Sequence, residues 1–135
     1  MARGDQRLAG RYACYRVYEC GDGRYYSVAA LEPKFWRNLC EHGLERPDLV
    51  EAQYSESAET HRQVETIFKT RTRDEWESRL SALDACCEPV LDLDEVVTHP
   101  QIVARRLLER GREGRAPDLG EHTDELLKEI GLKFS

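Results

Sequence analysis

Among the residues of this sequence that could do chemistry, Glu32 stands apart by its position. Acidic residues are abundant, 26 against 20 Lys and Arg, but most fall in polar helical stretches and read as solvated faces. Glu32 instead lies between Leu31 and Pro33, where a strand-like run turns into a helix. A scaffold that ends a strand there places the side chain at a rim, a common site for groups that meet a ligand. The competing reading is a helix-start carboxylate that satisfies backbone N–H donors. On these residues alone, that second reading is favoured.

The four histidines could each act as a base near neutral pH, yet no spacing supplies a partner to orient one. His42 and His61 fall on expected helix faces among charged neighbours and read as surface residues. His99, before Pro100, and His122, at a helix start, read as turn or capping groups. The five cysteines are Cys14, Cys20, Cys40, Cys86 and Cys87, with no CxxC pair and no histidine beside a cluster. Neither a zinc site nor a disulfide framework is expected from that pattern. Free thiols, buried or half-buried in a reducing compartment, are. The sequence holds no Gly-rich phosphate loop, nucleophile elbow or HExxH pair, so no metal or cofactor site is read from it.

Composition bounds what could position such groups. A chain of 135 residues, 40% hydrophobic and 34% charged, fits one domain with a modest core. Trp36, Trp76, Phe35, Phe68 and the six tyrosines must pack somewhere, which argues against disorder throughout. A net charge of -6 argues against a nucleic-acid or anionic-membrane partner. Arg105, Arg106, Arg110, Arg112 and Arg115 form a local basic stretch, but Glu109 and Glu113 interleave with them and a solvated helix face is expected. No apolar run approaches the ~20 residues that span a bilayer. Met1 to Gly10 lacks the apolar core of a signal peptide, so a cytoplasmic location is the default expectation.

The elements follow from periodicity and punctuation. Tyr12 to Cys20 and Arg24 to Leu31 are β-prone runs around Gly21-Asp22-Gly23, and they predict a hairpin. Pro33 opens a helix carrying Phe35, Trp36, Leu39 and Cys40, with Gly43 as its stop. Glu45 to Tyr54 reads as a polar connection, and a helix over about 56–69 buries Val64, Ile67 and Phe68. Thr72-Arg73-Asp74-Glu75 has the capping-box pattern and opens a helix with Trp76, Leu80 and Leu83 on one side. Glu88 to Leu91 reads as an extended exit, followed by a helical turn over 92–97. Pro100 opens a helix whose apolar side is Ile102, Val103, Leu107 and Leu108; 111–117 is a Gly- and Arg-rich break; Thr123 to Ile130 is a short amphipathic helix. The expected class is α+β, a hairpin or small antiparallel sheet followed by several helices. Two strands alone are marginal, so a partner sheet or another chain segment is expected to complete the sheet.

Several segments together resemble a known family. Tyr15 to Tyr25 and Val28-Ala-Ala-Leu-Glu-Pro-Lys-Phe35 are similar to the opening of the small domain in the family III (CaiB/BaiF) CoA-transferase superfamily. Asp84-Ala-Cys-Cys-Glu-Pro-Val-Leu91 resembles its "DAC-x-x-PVL" segment, and Glu95 to Gln101 and Leu119 to Asp124 match two further blocks in order. The "LEP-x-F" and "DAC" wording resembles the α-methylacyl-CoA racemase branch more than the true transferases.

The resemblance implies a small domain over 12–110, with a polar lead over 1–11 and a linker and C-terminal helix over 111–135. It implies epimerisation of a 2-methylacyl-CoA by removal and return of the proton α to the thioester. Such chemistry needs two opposed proton-transfer groups and stabilisation of an enolate oxygen. In the family these groups are a His and an Asp of a large CoA-binding domain, which this sequence does not contain. The chain is therefore expected to be inactive alone, to hold no cofactor itself, and to work with a large-domain chain or as a homo-oligomer, such as a dimer, on acyl-CoA. The family glutamate that pairs with the histidine falls on Glu32, whose implied role is to orient the imidazole and hold its charge. Ala29 departs from the usual Gly, and the connection from Arg106 to Pro117 is shorter than the family's. A non-catalytic binding or dimerisation module is the alternative, and part of a family III CoA-transferase a further one.

Overall fold

Large side chains alternating between Tyr12 and Leu31 form two antiparallel strands, β1 (Tyr15–Glu19) and β2 (Tyr25–Ala29), with Tyr18 directly opposite Tyr26. The computed structural model describes residues 6–108 and 116–132. Tyr18, Tyr26 and Val28 point to the buried face, while Val17 and Tyr25 are exposed on the other, as a period of two requires. The two glycines of the turn act differently. Gly23 has φ +78°, where a side chain is strained, whereas a Cβ on Gly21 would lie 2.7 Å from the Lys69 carbonyl oxygen.

The expected extended exit is a third strand. β3 (Cys87–Pro89) pairs antiparallel with β2, giving the order β1-β2-β3 with Ser27 opposite Glu88. Pro89 is tolerated because β3 is an edge strand. A segment of the same chain thus completes the sheet.

Pro33 occupies the first turn of α1 (Pro33–Asn38), which runs into a wide turn over Leu39–Gly43 closed by Leu44 N–H donating to the Leu39 carbonyl at 2.7 Å. The polar connection expected over 45–54 is in part a 3₁₀ helix, Pro47–Ala52, with Leu49 and the following Gln53 buried. Its three-residue period and single buried leucine carry little amphipathic signal. α2 (Ala58–Phe68) is capped by Ser57 and buries Val64 and Phe68, while Ile67 is half-buried. α3 (Arg73–Leu80) opens on the expected capping box: Thr72 Oγ1 accepts from Glu75 N–H at 3.2 Å, and Glu75 Oε2 accepts from Thr72 N–H at 2.8 Å.

These elements enclose a core of Tyr18, Tyr26, Trp36, Phe68 and Trp76, all fully buried. Tyr18 stacks on Phe68 at 4.9 Å, and Phe68 meets Trp76 at 5.0 Å. Each polar tip finds a partner, as burial demands. Tyr18 Oη donates to the Ala13 carbonyl at 2.6 Å, Trp36 Nε1 to Leu49 at 3.0 Å and Trp76 Nε1 to Phe68 at 2.7 Å.

This α+β unit ends at Asp92, and a second compact unit begins at Leu93. The second contains α4 (Leu93–Thr98), α5 (Pro100–Ala104) and α6 (Thr123–Glu129), none with a buried residue. α5 is shorter than its apolar pattern suggests: Arg106 takes φ +54°, so Leu107 and Leu108 fall outside the helix and are exposed. Most of the Arg-rich stretch and of the 111–117 break lies outside the described residues. Among the described residues, no helix is long and apolar enough to cross a membrane.

Candidate functional site

Glu32 sits where β2 hands the chain to α1. Its backbone is extended, φ -77° and ψ 137°, and its carbonyl accepts from the N–H groups of Phe35 and Trp36 at 3.0 and 3.3 Å. Pro33, with no N–H to satisfy, makes this start inexpensive. The Glu32 side chain is exposed and makes no cap hydrogen bond. The helix-capping reading favoured on sequence therefore does not hold.

What holds the junction is main chain and two neighbouring side chains. Ala30 N–H donates to the Cys14 carbonyl at 2.9 Å, and Leu31 N–H to the Ala29 carbonyl at 3.0 Å. Gln53, buried, donates its amide to the carbonyls of Ala30 at 3.1 Å and Leu31 at 2.8 Å. Tyr54 Oη donates to the same Leu31 carbonyl at 2.7 Å. Neither Gln53 nor Tyr54 stands out in the sequence: a polar residue in a polar connection gives no sign that it is buried, as Gln53 is, and Tyr54 is exposed.

The loop leading into β3 borders the same junction. Cys86 holds φ +47° and its carbonyl accepts from Ala29 N–H at 2.9 Å. Lys34 Nζ pairs with Asp84 Oδ2 at 3.3 Å, and Asn38 Nδ2 donates to the Asp84 carbonyl at 2.9 Å. The Leu31-Glu-Pro and Asp84-Ala-Cys segments, far apart in sequence, thus meet. The Cys86 thiol is pushed up by desolvation first, then by the carboxylates of Glu32 and Asp84. It is exposed, unlike Cys14, Cys20, Cys40 and Cys87, and departs from the expectation of buried or half-buried thiols. A raised thiol holds less thiolate at neutral pH and is the weaker nucleophile for it.

The histidines do not join it. His42 is exposed, with Nε2 4.0 Å from Glu41. His99 and His122 occupy helix-start positions but cap nothing with their rings. His61 corrects the surface reading. It is half-buried; Arg16 Nη1 donates to its Nδ1 at 2.9 Å, and its buried Nε2 has no partner among the described residues. Arg16 also pairs with Glu65 at 3.1 Å. The available signal was Arg16 itself, which shares the inner face of β1 with Tyr18. Among the described residues, no group of three or more His, Cys, Asp or Glu could hold a metal ion. Alone, this rim offers a carboxylate able to accept a hydrogen bond from a cationic or N–H donor.

The sequence model of the family described as CoA-transferase family III matches residues 1–123. Alpha-methylacyl-CoA racemase of Homo sapiens is 29% identical over 152 residues, covering 96% of this chain and 40% of its own length. The Mus musculus protein of the same description is 31% identical with the same coverage. A CaiB/baiF CoA-transferase family protein of Caenorhabditis elegans is 32% identical over 99 residues, 73% of this chain and 28% of its own. The chain thus spans about 40% of the length of the racemases it matches. With the family model matching residues 1–123, this chain belongs to CoA-transferase family III.

Proposed function

We propose that these residues form the C-terminal, small-domain part of an acyl-CoA racemase, in which Glu32 supports α-proton exchange on a 2-methylacyl-CoA. The observation that carries this is the held backbone around a carboxylate with no capping task. In the complete site, a base takes the proton acidified by the thioester and an acid on the opposite face returns it. Both lie outside these residues, in a large-domain chain. Glu32 accepts from the imidazole of the histidine among them, fixes its orientation and offsets its charge. Likeness to two racemases over nearly the whole chain favours this chemistry over CoA transfer. Free thiols and a CoA thioester substrate suit a reducing, cytoplasmic compartment.

Mixing the chain with a large-domain polypeptide should restore deuterium wash-in at the α carbon of a 2-methylacyl-CoA. Glu32→Gln should slow it by about a hundredfold without weakening association. Failure of every cognate large domain to restore exchange would count decisively against the reading. A second reading, a non-catalytic docking or dimerisation module, is favoured by the exposed Val17, Tyr25 and Val90 along the sheet. It predicts self-association in sedimentation that acyl-CoA leaves unchanged.

A further inference from the structure

Glu32 is bracketed by a single segment of chain. On its N-terminal side, Gln53 and Tyr54 together donate three hydrogen bonds to the carbonyls of Ala30 and Leu31. On its C-terminal side, Trp36 Nε1 donates at 3.0 Å to the carbonyl of Leu49, in the 3₁₀ helix that runs directly into Gln53. Both flanks of Glu32 therefore answer to residues 49–54. Among the described residues, the Glu32 carboxylate makes no hydrogen bond or ion pair of its own. What the fold fixes is therefore the backbone of Glu32, and with it the point from which the side chain starts.

From this we infer that Gln53, assisted by Tyr54, is the positioning residue for Glu32. This rests on the role proposed for Glu32 above. The physical case is one of bond type and burial. Gln53 spends both N–H groups of its amide on consecutive carbonyls at a junction where strand pairing has stopped and helical bonding has barely begun. Without those donors, the Ala30 carbonyl loses a buried partner and the Leu31 carbonyl keeps only Tyr54. An error of about 1 Å in a proton-transfer partner can cost on the order of a hundredfold in rate. Gln53 is buried and acts through the main chain of Ala30 and Leu31.

The test uses the full chain and two variants. Gln53→Met keeps the length and bulk of the side chain and removes the donors; Tyr54→Phe removes one donor from an exposed ring. In Gln53→Met, ¹⁵N order parameters at Leu31 and Glu32 should fall from about 0.85 to below about 0.7, with Val28 and Trp76 unchanged. Tyr54→Phe should show a smaller fall at the same two residues, and it decides the matter if Gln53→Met does not fold. Order at Leu31 and Glu32 that stays at the parent value in a folded variant overturns the inference.

Exchange measured with the large-domain polypeptide supplies the readout that a merely structural role would not move. Gln53→Met should lower kcat about tenfold and leave KM within about twofold. Added to Glu32→Gln it should slow exchange no further, because both changes act through one carboxylate. Equal slowing in the presence and absence of the Glu32 carboxylate would reduce Gln53 to a structural residue. A Glu32→Gln variant that exchanges at the parent rate would instead refute the role of Glu32, with the order parameters still deciding the clamp.

Discussion

Tyr26 Oη donates to Glu77 Oε2 at 2.8 Å, tying the central strand of the sheet to α3 across 51 positions of sequence. The ring of Tyr26 is fully buried beside Phe68, at 6.1 Å between centroids, while its hydroxyl reaches a half-buried carboxylate. One side chain thus fills the core and joins sheet to helix. Removing the hydroxyl alone leaves the packing and deletes the bond, so Tyr26→Phe should cost about 1–2 kcal/mol. Urea denaturation of the two proteins measures it, and an unchanged midpoint would show that Glu77 finds equivalent hydration.

The two hairpin glycines should respond differently to the same substitution. A Cβ at Gly21 would press on the carbonyl oxygens of Lys69 at 2.7 Å and Arg71 at 3.2 Å, and backbone cannot swing aside as a side chain can. Gly21→Ala should therefore cost about 2–3 kcal/mol and weaken the packing of the hairpin against the α2–α3 connection. At Gly23 nothing lies within 4 Å, and only the positive φ is penalised, so Gly23→Ala should cost about 1 kcal/mol. Thermal melts of both variants give the order; a larger loss at Gly23 would contradict the close approach at Gly21.

Alkali should destabilise this fold through its buried thiols. Burial pushes the thiols of Cys14 and Cys20 up to about 11, and those of Cys40 and Cys87 to about 12, from an ordinary 9.0. Burial likewise raises Tyr18 and Tyr26, the latter with help from Glu77. A folded-state value above the unfolded one means that stability is complete below about pH 9 and is lost as pH rises toward 12. Within that window each such thiol lowers stability by about 1.4 kcal/mol per pH unit. Urea midpoints should hold steady from pH 7 to 8.5 and fall steeply by pH 11. A flat profile would mean the thiols are hydrated.

Glu32 should matter little to stability. Its side chain is exposed and caps nothing, so Glu32→Gln should shift the urea midpoint by no more than about 0.5 kcal/mol. A larger loss would return Glu32 to a structural role. A small one, beside a large loss of exchange in the reconstituted complex, would separate function from fold.

The residues that announced themselves in the sequence did so through short-range rules. Gly21-Asp22-Gly23 between β-prone runs marks a turn, and Thr72 with Glu75 three positions later marks a helix start, because both signals rest on neighbours in the chain. The family motifs are likewise strings of adjacent residues, and they led to Glu32 at the end of its strand. Class α+β, the hairpin, the order of the larger elements and the likeness to CoA-transferase family III were all legible on that basis.

Only the tertiary structure decided the rest. Cys87–Pro89 becomes a strand because β2 offers it an edge some 60 positions away, with Ser27 Oγ donating to the Glu88 carbonyl across 61 positions. Gln53 becomes a clamp because its amide is buried against carbonyls 22 and 23 positions earlier. His61 leaves the surface because Arg16 reaches its ring from 45 positions away. In each case a polar or weakly patterned residue takes its role from what the common core brings against it. That energy depends on burial and on shared hydrogen bonds, and no local pattern encodes either. Glu32 itself shows both halves: the sequence marked the carboxylate where a strand gives way to a helix, and the fold showed that it caps nothing and that the main chain before it is held by Gln53 and Tyr54.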